Sequence, residues 1–315
     1  EVEEGRAVQL STKAMASTKM DLTNQIQEIL ASAGNYIHGC DSEDDDLVYS
    51  SIIEWKEKIG MPSASITTTS KSEETTKRQN ENRQQWYKTG YDFYEDESKC
   101  PASVDGVLGG FASISEKDLD GSTDFIRYLK ANMRPELKLT KEENNGLPTC
   151  ACECGAGIGR VSKGLLLPLG ITQCDLVEPS PRLISSAPEY LGDQYSSKCK
   201  YYCTGLQDFE PKEQSYDIIW IQWVIGYLTD DDLVDFLKRC AVGLRQGGVV
   251  VIKDNTCPNE AFIVDRADAS STRSLPYILA IAELAGLRVV YQRFQEDFPS
   301  GIFPVPIIAL EPKTC

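Results

Sequence analysis

The stretch CACECGAGIGR (150–160) decides the fold class. Its first half is a short apolar run whose alternate residues share one face, as in a strand. Its second half places glycines at 155, 157 and 159, where that strand must turn into the next segment. Glycines there let the backbone turn tightly and let a ligand approach with no Cβ in the way. Such a turn serves several nucleotide-binding folds, and spacing separates them. Dinucleotide binders use G-x-G-x-x-G, with a helix N-terminus aimed at a pyrophosphate. The G-x-G-x-G here, with Glu153 before it and Arg160 after it, suits a ligand without phosphate. Arg160 would bind the carboxylate of that ligand's amino-acid end.

From Trp86 onward, apolar runs alternate with helix-like stretches. Strands are predicted at 148–154, 173–177, 199–203, 216–222, 248–253, 287–292 and 303–309, with helices at 159–170, 181–192, 231–245 and 274–286. This alternation predicts an α/β domain over 86–315, built on a doubly wound, mostly parallel, Rossmann-like seven-stranded sheet. The last two strands are joined too closely for a helix, which predicts a closing antiparallel hairpin. Residues 1–85 read as an N-terminal extension without chemistry. Short helices are expected at 20–34 and 44–60, and the polar, repetitive run 66–85 has the composition of a disordered linker.

With 48 acidic and 32 basic residues the chain carries a formal charge of −16. That charge repels phosphate backbones, which argues against nucleic acid and favours a cationic ligand or substrate. No run approaches the roughly 18 apolar residues of a membrane span, so no membrane partner is expected. Eleven cysteines, several inside strand-like runs, point to free thiols in a reducing cytoplasmic or nuclear compartment. Cys150, Cys152 and Cys154 share a strand face and read as core filler. With no CxxC partner or nearby histidine to complete a tetrahedral set, no metal is expected. The chain starts at Glu1 rather than Met, as a processed or trimmed form would, and a monomer is expected.

Two further strand ends sharpen the site. Glu178 ends the second strand, where a carboxylate can accept from both ribose hydroxyls; NAD would use the same geometry. Leu206 and Gln207 lie just past the third strand, where an adenine edge would sit. With the glycine loop, they describe an S-adenosylmethionine pocket at the carboxyl ends of the strands.

Residues 104–310, about two-thirds of the chain, resemble the eukaryotic protein α-N-terminal methyltransferases. The matching segments are VDGVLGGFASIS (104–115), ECGAGIGR (153–160), LLLPL (165–169), GLQDF (205–209), YDIIWIQWVIGYLTD (216–230), FLKRC (236–240), GGVVVIKDN (247–255) and VDRADASS (264–271). The glycine loop marks only the broad class; WIQWVIG with VIKDN and VDGVLGG is far more specific. The resemblance implies a class I S-adenosylmethionine-dependent methyltransferase acting on the free α-amine of proteins that begin Xaa-Pro-Lys or Xaa-Pro-Arg. It implies that Gly155, Gly157, Arg160, Glu178, Leu206, Gln207 and Gln222 contact the cofactor. Trp223 and Asn255, with Leu108 and Ile114 from a flap, would receive the substrate N-terminus. Asp265 and Asp268 would face the amine and the third-position Lys or Arg, and Ser270 and Phe303 fall at further substrate positions.

Chemistry supports these roles. A proline ring packs well on an indole, and carboxylates at i and i+3 can seat a basic side chain. An exposed α-amine has a pKa of about 7.7–8.0, so part of it is already neutral. Positioning therefore comes first and proton acceptance second. Asn255 is suited to hold the amine and Asp268 to accept the proton. The chain departs from the family at Tyr227, where relatives carry a histidine that shares the proton handling. The only histidine here is His38, and a phenol with pKa near 10 orients rather than accepts. Gly301 and Phe303 replace an acidic residue and a tyrosine, which would relax selection at the third position, and Phe93 and Tyr94 only loosely match an aromatic pair of the flap. The alternatives are a methyltransferase of the same fold acting on a small molecule or internal side chain, and a non-catalytic binding module. A nicotinamide oxidoreductase comes last, on loop spacing.

Overall fold

A computed structural model describes residues 22–44, 47–58 and 73–313. The chain runs through α1 (Leu22–Ser32), two short strands, β1 (Gly39–Asp41) and β2 (Val48–Tyr49), and α2 (Ile52–Lys58). A long helix, α3 (Glu73–Glu95), leads to α4 (Val104–Val107) and α5 (Ser115–Tyr128). The alternating region is β3 (Cys150–Cys154), β4 (Gln173–Val177), α6 (Pro181–Leu191), α7 (Asp193–Ser196), β5 (Cys199–Tyr202), β6 (Tyr216–Gln222), α8 (Asp230–Gly243) and β7 (Leu244–Lys253). A hairpin of β8 (Phe262–Asp265) and β9 (Ser270–Arg273) precedes α9 (Leu275–Leu284), and β10 (Leu287–Phe294) and β11 (Pro306–Pro312) end the fold.

The main sheet has the order β10-β11-β7-β6-β3-β4-β5. Its members are parallel except β11, which runs antiparallel to both neighbours. All seven predicted strands and the closing hairpin are present. The unbroken apolar run of β6 is explained by its central place, where both faces are covered. Ile219 and Ile221 join the core on one face, Ile218 and Trp220 the core on the other. Cys152 and Cys154 are buried in the first of these cores, with Cys150 packed against it.

The N-terminal region departs from the sequence reading. The expected linker 66–85 becomes helical from Glu73, and α3 runs straight through the expected boundary at 85/86; residues 66–72 lie outside the described residues. Its polar composition suits a helix docked by charge: Arg83 forms a two-pronged pair with Asp232, both contacts at 2.8 Å, and the Tyr87 hydroxyl donates to the same carboxylate. Of the helix expected at 44–60, the described residues 47–58 form β2 and α2, and 45, 46, 59 and 60 lie outside the described residues. Nor is the extension a bare appendage. Ile26, Leu30, Ile52 and Trp55 are buried in the same core as α8 and α9. β1 pairs with β8, making a second sheet of order β2-β1-β8-β9 that the sequence did not announce. Among the described residues no helix is long and apolar enough to cross a membrane.

Trp55 is 1% exposed and stacks on Phe262 at 4.7 Å. Replacing it with alanine is expected to cost about 3–5 kcal/mol in a single cooperative urea transition, as for large aromatics removed from cores. A loss below about 1 kcal/mol would contradict the packing of this segment.

Candidate functional site

The carboxyl ends of β3, β4 and β6 open into one cavity of about 530 Å³. Its floor is the glycine loop. Gly155 has φ +70°, and a Cβ there would stand 2.7 Å from the Cβ of Val224. Only glycine fits, and a ligand can lie against bare backbone. The Glu153 carboxylate accepts from the backbone N–H of Val161 (3.2 Å) and Ser162 (2.7 Å), so it builds the loop while it also lines the cavity. Glu178 accepts from Gly157 N–H at 3.0 Å and Ser180 N–H at 2.9 Å while lining the cavity. Burial pushes its carboxyl up to about 7. Arg239 donates to the carbonyls of Leu206, Gln207 and Phe209, fixing the loop past β5.

Asp118 on α5 is fully buried beneath this floor. It pairs with Arg160 at 2.7 Å and Lys253 at 2.5 Å, and Gln222 Nε2 donates to both its oxygens at 2.9 and 3.0 Å. Burial alone would raise its carboxyl, but the two cations hold it below the ordinary carboxylate range. One carboxylate thus faces two buried cations. Glu153, which burial pushes up to about 7, supplies only part of the balance. The surplus positive charge reaches the cavity at Arg160, whose guanidinium lies 5.5 Å from the Trp223 ring centre. A ligand carboxylate would neutralise it.

Trp223 has φ +51°, a conformation that costs a bulky residue on the order of 1–3 kcal/mol and persists only where the surroundings enforce it. Here its N–H donates to Lys253 O at 3.0 Å, and the Asp254 carboxylate accepts from the N–H of Val224 and Ile225, each at 3.0 Å. Strain at this corner aims the indole into the cavity. Beyond it, the Tyr227 hydroxyl donates to Asp268 Oδ2 at 3.0 Å and also meets the Tyr94 hydroxyl. Burial, then Tyr94 and Asp268, drives the Tyr227 phenol well above its ordinary value, so it remains a donor. Burial and the charge of Asp265 raise the Asp268 carboxyl against the hydrogen bonds from Ser270 and Tyr227 that lower it.

Of the predicted site residues, Gly155, Gly157, Arg160, Glu178, Leu206, Gln207, Gln222, Leu108, Trp223 and Tyr227 line this cavity. Asn255, Asp268, Asp265, Ser270, Ile114 and Phe303 do not. Asp268 connects to it through Tyr227 and its neighbour Ala269, a wall residue. Asp265 ends β8 and accepts from Ala267 N–H within the hairpin turn; Ser270 opens β9. Asn255 follows β7, Ile114 is buried ahead of α5, and Phe303 stands exposed before β11. Gln222 lines the cavity and also braces its floor, its carboxamide donating to Asp118 and accepting from the Trp220 indole N–H at 2.8 Å.

Sequence reasoning missed Asp118, Lys253 and Arg239, which act only through distant partners. It named Tyr94 only as a loose match to the flap's aromatic pair, and missed the rest of the wall that α3 supplies through Trp86, Tyr87 and Tyr91. The signal existed in WYKTGYDFY (86–94), where 87, 91 and 94 share a helix face.

A bare-backbone glycine turn, a carboxylate at the second strand's end, an apolar shelf at Leu206 and a surplus cation at Arg160 fit S-adenosylmethionine, and with this sheet they define a class I methyltransferase. The profile of the AdoMet dependent proline di-methyltransferases matches residues 82–311, and the chain belongs to that family. It is similar to N-terminal Xaa-Pro-Lys N-methyltransferase 1 of Danio rerio, 42% identical over 73% of this chain and 97% of that one. The protein of the same name from Xenopus tropicalis is 44% identical over 65% of this chain and 87% of its own. Among solved structures, a SAM-dependent methyltransferase of Leishmania major superposes with a TM-score of 0.69 at 30% identity, covering 88% of this chain and 96% of that one.

Were Glu178 to receive the ribose hydroxyls, its ionised form would bond them best, and binding would lower its pKa from about 7 and release a proton. Cofactor affinity is therefore expected to rise with pH up to about 7, the free-state value, and to level above it. Calorimetry in buffers of different ionisation enthalpy reads the released proton directly. Glu178→Gln should abolish the release; an unchanged release would place the titrating group elsewhere.

Proposed function

We propose that this chain transfers the methyl group of S-adenosylmethionine to the free α-amine of proteins beginning Xaa-Pro-Lys or Xaa-Pro-Arg. The observation that carries this reading is that Trp223, held at a strained backbone corner, lines the same cavity as Tyr94 and Tyr227, whose hydroxyls join Asp268 in one hydrogen-bonded chain, with α3 as a wall. An apolar plate beside an anionic acceptor, in a walled end, suits a chain terminus with a proline at its second position. An internal side chain would need an open groove. The names of the vertebrate relatives support the same substrate class.

When bound, the cofactor supplies a methyl group on a sulfonium, ready for in-line displacement. The protein's own task is to bring a neutral amine to that line and take its proton. Asp268, with its carboxyl raised by burial, is a stronger acceptor than a surface aspartate. Its Oδ1 is buried with no hydrogen bond of standard geometry, while Tyr227 holds Oδ2. Tyr227 thus positions the acceptor where relatives place an imidazole. Trp223, Leu108 and Ile114 would seat the first two substrate residues. Asn255 would hold the amine, and Asp265, Ser270 and Phe303 would face the third residue. The same reading has the enzyme act as a monomer in the cytoplasm or nucleus, in keeping with its net negative charge and free thiols.

The test uses peptides beginning Ser-Pro-Lys, free or N-acetylated. The free peptide is expected to gain methyl groups and the acetylated one none; methylation of the acetylated peptide would overturn the proposal. Asp268→Asn is expected to lower kcat by about 10²–10⁴-fold, the range for loss of a positioned proton acceptor. Tyr227→Phe, which removes only the orienting hydroxyl, is expected to cost about tenfold. Equal effects of the two changes would show the hydroxyl and the carboxylate acting as one unit, and would contradict Asp268 as the separate acceptor.

A further inference from the structure

Residues 22–44 and 47–58 lie outside the part of the chain that the family profile matches, yet they pack against the hairpin β8–β9 that bears Asp265, Asp268 and Ser270. β1 pairs with β8 in register Gly39↔Phe262, Cys40↔Ile263 and Asp41↔Val264. Backbone bonds continue the pairing at both ends: Ala261 N–H donates to His38 O at 2.8 Å and Ser42 N–H to Val264 O at 2.7 Å. The approach is close enough that a Cβ on Gly39 would stand 2.2 Å from the Phe262 ring. Without β1, the β8 side of the hairpin would be an unpaired edge with no partner strand.

Two ionic contacts extend this grip to the site. Asp41, its side chain fully buried, pairs at 2.7 Å with Arg266, which stands in the hairpin turn between Asp265 and Asp268. Lys56, 1% exposed, pairs at 2.8 Å with Asp230, which also holds Arg273 at the end of β9. Arg273 in turn donates to Ile225 O at 2.9 Å and Leu228 O at 2.7 Å, the carbonyls that bracket Tyr227. One contact therefore leads to each member of the Tyr227–Asp268 pair.

We infer that the N-terminal segment is a positioning element of the substrate site, and that Asp41–Arg266 is the contact by which it sets Asp265 and Asp268 against an incoming N-terminus. The inference rests on the proposed substrate reading for what the hairpin receives, but not for how the hairpin is held. Arg266 is half-exposed and does not line the cofactor cavity, so changing it leaves the cofactor floor intact.

The full chain carrying Arg266→Gln tests this, with Arg266→Lys as the variant that keeps the ion pair. Arg266→Gln is expected to raise KM for the Ser-Pro-Lys peptide about tenfold and to lower kcat by about tenfold, because it loosens both Asp265, which faces the third residue, and Asp268, which takes the proton. Cofactor Kd should stay unchanged, amide exchange over residues 262–273 should quicken, and Arg266→Lys should restore both KM and exchange. An unchanged KM and unchanged exchange in Arg266→Gln would overturn the inference, as would a rise in KM that Arg266→Lys fails to correct. If the wild-type protein methylates no such peptide, the substrate reading fails, and exchange alone decides: faster exchange at constant cofactor Kd supports the positioning role, and unchanged exchange ends it.

Discussion

The site depends on one buried carboxylate. Asp118 stands on α5, before the sheet begins, yet it gathers the ends of three separate elements: Arg160 from the glycine loop, Gln222 from β6 and Lys253 from β7. A carboxylate with no exposure is tolerable only when its charge and lone pairs are met. Meeting them forces the loop and both strand ends into one arrangement. The same arrangement leaves a positive charge in surplus at Arg160, facing the cavity. A structural requirement for neutrality thus becomes a binding preference for a ligand that carries a carboxylate.

A second set of carboxylates does for the substrate end what Asp118 does for the cofactor end. In the stretch from Trp223 to Asp232, Asp230 accepts from Lys56, Arg273 and Tyr277, and Asp232 from Arg83 and Tyr87. Asp254 caps the strained turn at Trp223 from the neighbouring strand end. Burial raises the Asp230 carboxyl, but Lys56 and Arg273 outweigh it and carry the group well below the carboxylate range. Hence the N-terminal segment, α3 and the hairpin all converge on a few residues after β6. Elements distant in sequence are placed around one cavity end by charge rather than by apolar area alone.

Local chemistry was legible in the sequence, and long-range pairing was not. Glycines at 155 and 157, Glu178 and the Leu206–Gln207 edge announced a pocket because their spacing relative to strand ends is itself the mechanism. The seven main strands could be read from apolar runs: the central β6 is buried along its whole length, and even the half-exposed edge strands β5 and β10 keep enough apolar residues to show. The short strands β1, β2, β8 and β9 could not, because two to four residues show no period. The run before Trp86 looked like a linker because its helix is docked through Arg83 and Tyr87 rather than by an apolar stripe. Gln222 shows the limit most clearly. Its position at a strand end was legible, but its partner Asp118 lies 104 residues earlier, and only the fold reveals that the amide also braces the floor.

The central claim is that the acceptor is a chain-terminal amine held near Tyr227 and Asp268, not a lysine side chain seated by the acidic hairpin. A Ser-Pro-Lys peptide offers both amines at once. Methylation with a deuterated-methyl donor, followed by fragment-ion mass spectrometry, locates the label within the product. Label confined to the α-nitrogen of the peptide's serine is the outcome expected here. Label on the side chain of the peptide's lysine would contradict the claim, whatever the overall rate.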